Sequence, residues 1–151
     1  MEFKDLITTR KGFIGEEFVK NYLEQELNYQ IWWNSNNKSQ PFDAFAFSGT
    51  SVKNLIEVKV KTLTSFGTYS IHENDLIVYE RYQKEEKKKM LIFYLDYNSG
   101  RLNVTTTRMI RDSIQHKTYD EKEHKTLIYF DGYSFRKQLP EKIIEQLKNI
   151  K

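Results

Sequence analysis

Residues 41–61 read PFDAFAFSGTSVKNLIEVKVK. Two apolar stretches, PFDAFAF and NLIEVKVK, flank the turn-forming SGTS, a pattern that predicts a β-hairpin. In the second strand the period of two places Ile56, Val58 and Val60 on one face. Leu55, Glu57, Lys59 and Lys61 fall on the other. Glu57 and Lys59 are then same-face neighbours about 7 Å apart. An apolar hairpin that carries an acid at Asp43 and an acid–lysine pair at Glu57 and Lys59 is ill suited to be core alone and well suited to be a site. The plainer alternative is a hairpin whose charges face water, and for the common tripeptide E-x-K taken alone that would be the better reading.

The chemistry of such a site is electrostatic. Two carboxylates about 4 Å apart repel by roughly 4 kcal/mol at an effective dielectric near 20. One lysine does not offset two or three converging acids, whereas a divalent cation does. Carboxylate and carbonyl oxygens are the ligands that Mg²⁺ or Mn²⁺ prefers. Such an ion polarises a phosphoryl oxygen and makes a water more acidic. The lysine is left to steer that water or to neutralise charge developing on phosphorus.

The rest of the chain sets the context. At 151 residues, with 38% hydrophobic, 15% aromatic and 30% charged side chains, it predicts one globular domain over 1–151 with an aromatic-rich core. The net charge of +3 permits a nucleic-acid partner without demanding one. Without cysteine there are neither disulfides nor thiolate metal sites. No apolar run reaches membrane-spanning length and MEFKDLITTRK does not read as a signal peptide, so no membrane association and a cytoplasmic location are expected.

A first helix is expected from about Thr8 or Thr9 to Leu27, with Ile14, Phe18 and Tyr22, and Val19, Leu23 and Leu27, each at spacings of four. The same geometry separates two adjacent acids. Glu16 points with the apolar stripe, whereas Glu17 shares the polar side with Lys20, Asn21 and Glu24. An acid on a packing stripe needs a partner or a path to water. The hairpin downstream makes Glu16 the natural third acid.

LNYQIWWNSN predicts a strand with Trp32 and Trp33 as packing, and NSNNKSQ a polar loop. TLTSFGTYS reads either as a plain connection or as a loop donating hydrogen bonds to phosphates. Ser70 and Glu73 have the spacing of a capping box for a helix from about Ile71 to Lys88, with Leu76, Tyr79 and Tyr82 on one face. MLIFYLDY predicts a central strand buried on both sides, RLNVTTT its return, TRMIRDSIQ a short helix and TLIYFDG a further strand at an edge. LPEKIIEQLKNI predicts a closing helix with Pro140 in its first turn. His72, His116 and His124 lack zinc-ligand spacing.

Helix, strand, acid-bearing strand, E-x-K strand, helix, strand: this order resembles the PD-(D/E)XK nuclease superfamily, which includes type II restriction enzymes and archaeal Holliday-junction resolvases. Pro41-Phe42-Asp43 stands where the family has Pro-Asp, with one residue inserted, and Glu57-Val58-Lys59 stands for (D/E)-x-K. KGFIGEEFVKNYL resembles the Gly-x-x-Gly-Glu helix of resolvase-like members and offers the same Glu16. Tyr79 and Gln83 reverse the Gln-x-x-x-Tyr order of some exonuclease-like members, a departure from that branch.

The resemblance implies an α/β, restriction-endonuclease-like fold, a central mixed β-sheet flanked by helices. It implies that Asp43, Glu57 and the Val58 carbonyl bind Mg²⁺ or Mn²⁺, that Glu16 binds the ion or orients its water, and that Lys59 assists the attacking water. The function expected is a metal-dependent endonuclease hydrolysing phosphodiester bonds of duplex or branched DNA, of resolvase, repair or restriction type, with a homodimer expected by family analogy. The alternatives are a catalytically inactive nucleic-acid-binding or assembly module on the same fold, and an interaction protein in which these charges form a salt-bridge cluster.

Overall fold

The computed structural model describes residues 3–33 and 42–150. In chain order its elements are α1 (Phe3–Glu26), β1 (Gln30–Trp33), β2 (Ala44–Ser48), β3 (Ser51–Val60), β4 (Tyr69–His72), α2 (Glu73–Glu86), β5 (Lys89–Asp96), β6 (Arg101–Thr105), α3 (Thr107–Asp112), β7 (Ile114–Asp120), β8 (Lys125–Phe130), β9 (Ser134–Gln138) and α4 (Glu141–Lys148). Pro41 and the polar loop before it lie outside the described residues.

The expected hairpin is present. β2 and β3 pair antiparallel across Gly49 and Thr50, and Gly49 takes φ 66°, a left-handed state that glycine adopts without steric cost. The sheet grows outward from it in the order β1-β2-β3-β5-β6-β9, with β3 and β5 parallel and the other neighbours antiparallel. It is therefore the mixed sheet the sequence implied. A second, antiparallel sheet has the order β4-β8-β7.

Alternation along the central strands builds two cores. Ile56, Phe93, Leu95, Leu102 and Val104 face Val19, Tyr22 and Leu23 of α1 and Leu147 of α4. Leu55, Met90, Ile92 and Tyr94 face Leu76 and Tyr79 of α2, Ile110 of α3 and the inner side of the small sheet. β5 is buried from both sides, as MLIFYLDY predicts. No helix among the described residues is long and apolar enough to cross a membrane.

Gly15 fixes how closely α1 lies on β3. A Cβ built there would stand 2.6 Å from Val60 Cγ2, and Val60 is β-branched and stiff. Gly15→Val is expected to destabilise the fold by about 1–3 kcal/mol through overpacking, despite valine's better helix propensity. Urea unfolding measures this; an unchanged midpoint would show that α1 has room to move.

Several expectations give way to packing. α1 begins at Phe3, earlier than Thr8, and Leu27 follows its end 46% exposed. Trp33 packs against the first core, but Trp32 points from the same edge strand to solvent at 67% exposure, because neighbouring strand residues face opposite sides. Ser70 caps no helix. It lies in β4, held there by the complete burial of Tyr69 and Ile71, and His72 precedes α2 without a side-chain cap.

β8 is the middle strand of its sheet, not an edge, because β7 covers it. The helix read from TRMIRDSIQ ends at Asp112, and Ile114 already belongs to β7. Pro140 is the residue preceding α4 rather than part of its first turn.

Candidate active site

Asp43 sits just before β2, where its N–H donates to the carbonyl of Ile56 at 3.0 Å. β2 starts pairing with β3 at Ala44 opposite Ile56, so the neighbouring N–H of Val58 has no partner from β2. The side chain of Asp43 supplies one: Val58 N–H donates to Asp43 Oδ2 at 2.7 Å. The aspartate is thus held by the end of the ladder that it terminates.

Glu57, one residue back along β3, is buried; its carboxyl lies against that of Asp43, and the Tyr79 hydroxyl from α2 acts on it as a weaker, opposing influence. Glu16 arrives from α1, and its carboxyl is hydrogen-bonded to Asp43. Glu16 from α1 and Glu57 from β3 therefore converge on Asp43 at the entrance to β2, bringing three acids together. Glu17 is exposed, as its place on the helix predicts.

The electrostatics follow from the crowding. Burial, then the charge of Asp43 and its hydrogen bond, push Glu16 from 4.5 up to about 7. Burial and the hydrogen bond to Asp43 drive Glu57 well above 4.5, against the pull of Lys59 and Tyr79. Carboxyl–carboxyl hydrogen bonds need a proton on one partner, so the cluster holds protons that isolated acids would release.

Lys59 lies beside this group with Nζ 5.7 Å from the centre of the Tyr79 ring. None of the ion pairs among the described residues joins Lys59 or Lys61 to these acids. A salt-bridge cluster is therefore not what holds them.

Two neighbours do more than their positions in the sequence announce. The spacing of Tyr79 with Leu76 and Tyr82 predicts packing. It does pack, but its hydroxyl also lies toward Glu57, and burial with the adjacent Glu57 charge raises its pKa. Lys61 was visible only as the next same-face residue after Lys59. It is half-buried and donates from Nζ to the Ser70 carbonyl at 3.2 Å. Burial and the charge of Lys59 lower its pKa to about 8, with Asp75 opposing. Gln83, by contrast, is structural: its amide donates to Thr107 Oγ1 at 2.6 Å and accepts from Met90 N–H at 2.7 Å.

Among the described residues no three His, Cys, Asp or Glu side chains stand as a ready cation cage. The acids are turned toward one another and toward Val58 N–H. Their donor chemistry nevertheless fits a hard divalent ion: carboxyl oxygens from three residues, two of them held above the usual carboxylate range by burial and by Asp43.

The fold is shared with solved structures. A Holliday junction resolvase from the archaeal hyperthermophile Archaeoglobus fulgidus superposes with a TM-score of 0.55 at 12% identity, over 89% of this chain and 93% of that one. A nuclease from a fusselovirus superposes with a TM-score of 0.52 at 8% identity, over 89% of each chain. No protein-family model and no curated protein matches the chain. The likeness is one of fold, and it is the resolvase-like nuclease fold that the order of elements implied.

Proposed function

We propose that the chain is a metal-dependent endonuclease that hydrolyses DNA phosphodiester bonds at the Glu16–Asp43–Glu57–Lys59 cluster. The observation that carries this reading is the convergence of three carboxyls from separate elements, two with raised pKa values, with no salt bridge to them among the described residues. A structural salt bridge would not be built so, and an inactive binding module has no use for acids that repel phosphate. The nuclease activity named for both structural neighbours supports it.

In this reading Asp43 and Glu57 would hold Mg²⁺ or Mn²⁺, and Glu16 would bind the ion or orient its water. Val58 would add its carbonyl. A strand residue presents its N–H and C=O on the same edge, and the N–H of Val58 faces Asp43 in the gap where β2 stops. When bound, the ion supplies the charge that polarises a phosphoryl oxygen and acidifies water. The remaining work belongs to the chain. Lys59 is two residues from Glu57 on the same face, where an ammonium steers the attacking water and offsets charge on phosphorus. Glu16, near neutrality in its titration, is suited to accept a proton at physiological pH. Tyr79 packs beside Glu57, and its hydroxyl favours the charged form of that carboxyl.

The test is incubation of the purified chain with supercoiled, linear, single-stranded and four-way-junction DNA, in Mg²⁺ or in EDTA. Cleavage of at least one substrate in Mg²⁺ and none in EDTA is expected. Binding without cleavage in either Mg²⁺ or Mn²⁺ would favour the inactive module.

A further inference from the structure

Residues 62–68 leave β3 just beyond Lys59 and Lys61, and they carry the most exposed large apolar side chain among the described residues, Phe66, at 85%. The exposure is not slackness. Thr64 N–H donates to the Thr68 carbonyl at 2.9 Å, Gly67 N–H to the Thr64 carbonyl at 3.0 Å, and the two threonine hydroxyls lie 2.7 Å apart. The N–H groups of Phe66 and Thr68 both donate to Thr64 Oγ1 at 3.3 Å. The turn is also tied to the fold on both sides. Leu63 N–H donates to Oδ2 of the fully buried Asp96 at 3.1 Å, and the Tyr133 hydroxyl donates to the Gly67 carbonyl at 3.4 Å. Gly67 takes φ 76°, which a side chain would resist. A ring held out in water by this many bonds covers no core of its own.

Phe66 forms one wall of a recess of about 440 Å³, lined otherwise by Thr68, Gln115, His116 and Asp131. The His116 ring is stacked on Tyr129, with centroids 4.4 Å apart and planes within 10°, so its plane is fixed. Gln115 Nε2 donates to Asp131 Oδ2 at 3.1 Å, which orients both polar groups. The amide keeps its oxygen and second N–H, and the carboxylate its remaining lone pairs. An exposed ring and a second ring already stacked on Tyr129, beside an amide and a carboxylate, match the needs of an unstacked nucleobase. Such bases are recognised by aromatic stacking and by hydrogen bonds to their edges, and a carboxylate accepts from an exocyclic amino group. The volume lies within the roughly 300–1,000 Å³ of small-ligand sites. The segment that carries Phe66 and Thr68 follows Lys59 and Lys61 directly in the chain.

We propose that the recess between Phe66 and His116 captures one unpaired nucleobase, so that the substrate carries an unstacked or single-stranded nucleotide. This rests on the nuclease reading above and narrows its substrate class. The test uses the whole chain in EDTA, where no cleavage is expected, and DNA duplexes with and without a one-base bulge of fluorescent 2-aminopurine. Wild type, Phe66→Ala and Phe66→Tyr are titrated against both duplexes, with thermal unfolding as a check on folding.

Wild type is expected to prefer the bulged duplex and to change the fluorescence of the bulged base. Phe66→Ala should weaken bulged-duplex binding about 5–150-fold, the range that base–aromatic stacking supplies. It should abolish the fluorescence change and leave affinity for the paired duplex and the melting temperature unaltered. Phe66→Tyr should restore both. Equal binding of bulged DNA by wild type and Phe66→Ala, or an equal loss on both duplexes, overturns the recess proposal and leaves the nuclease reading standing. A wild type that binds neither duplex at any salt concentration overturns both.

Discussion

Asp43→Asn is expected to lower cleavage at least about 10²-fold, the size of losing one preorganised charge-stabilising group, while leaving the metal-free protein as stable as the parent or more stable. Asparagine keeps the shape of the side chain, and its amide oxygen accepts the Val58 N–H that Asp43 Oδ2 now accepts at 2.7 Å. Its amide N–H₂ then donates to the Glu16 or Glu57 carboxyl, where a proton now serves. One negative charge leaves a crowded group, a gain of about 1 kcal/mol at effective dielectrics near 20 with partial screening. The stabilisation that Mg²⁺ gives wild type should shrink, because a ligand that binds only the native state stabilises it by linkage. DNA binding should persist or tighten. Thermal unfolding with and without Mg²⁺, beside a cleavage assay, measures all of this. A clearly destabilised variant together with a wild type indifferent to metal would return these acids to a structural role.

Metal and pH should act in opposite directions on stability. Glu16 titrates near 7 in the folded chain against 4.5 unfolded, and Glu57 is raised in the same sense. Between those values the folded state binds more protons than the unfolded one, so stability falls as pH rises. This contribution is fully present below 4.5 and is lost as pH passes through about 7. His72, whose burial lowers its pKa, pulls the other way below 6.5, so a Glu16→Gln comparison isolates the acids.

Metal binding needs the same carboxyls without their protons. Its stabilisation should be small at pH 5 and complete by pH 8, reaching ~2.7 kcal/mol at a hundredfold excess over Kd. For a domain of this size that is about 5–11 °C in melting temperature. Unfolding scans from pH 5 to 8 with and without Mg²⁺ check it. A metal shift independent of pH would mean that the ion binds elsewhere.

The parts of the molecule legible in the sequence are those with a strong period or a chemical oddity. Ile56 and Leu55 fall on the faces that alternation assigns them, and Glu16 separates from Glu17 because only one of them lies on the packing stripe. Asp43 stood out as an acid in an apolar strand. What stayed hidden was set by tertiary contacts. β7, reading IQHKTYD, faces water along most of its length and shows no alternation, so its pairing with β8 leaves no local trace. β9, SFRKQ, is an equally polar edge. Ser70 and Glu73 have capping-box spacing, yet burying Tyr69 and Ile71 outweighs a cap usually worth about 1 kcal/mol. Tyr79 illustrates the limit of periodicity. Its spacing announces packing and says nothing of where the hydroxyl goes.

The parallel pairing of β3 with β5 has a consequence for the newborn chain. Glu16, Asp43, Glu57 and Lys59 all lie ahead of β5, but α1 rests on a surface that includes Phe93 and Leu95 of that strand. A ribosome adding 5–20 residues per second needs roughly 2–7 s to go from Lys59 to Leu95. During that interval every acid of the cluster has been synthesised and none has the floor on which α1 brings Glu16 to Asp43. The acid cluster is thus assembled only when the middle of the sheet closes, well after its last member has been synthesised.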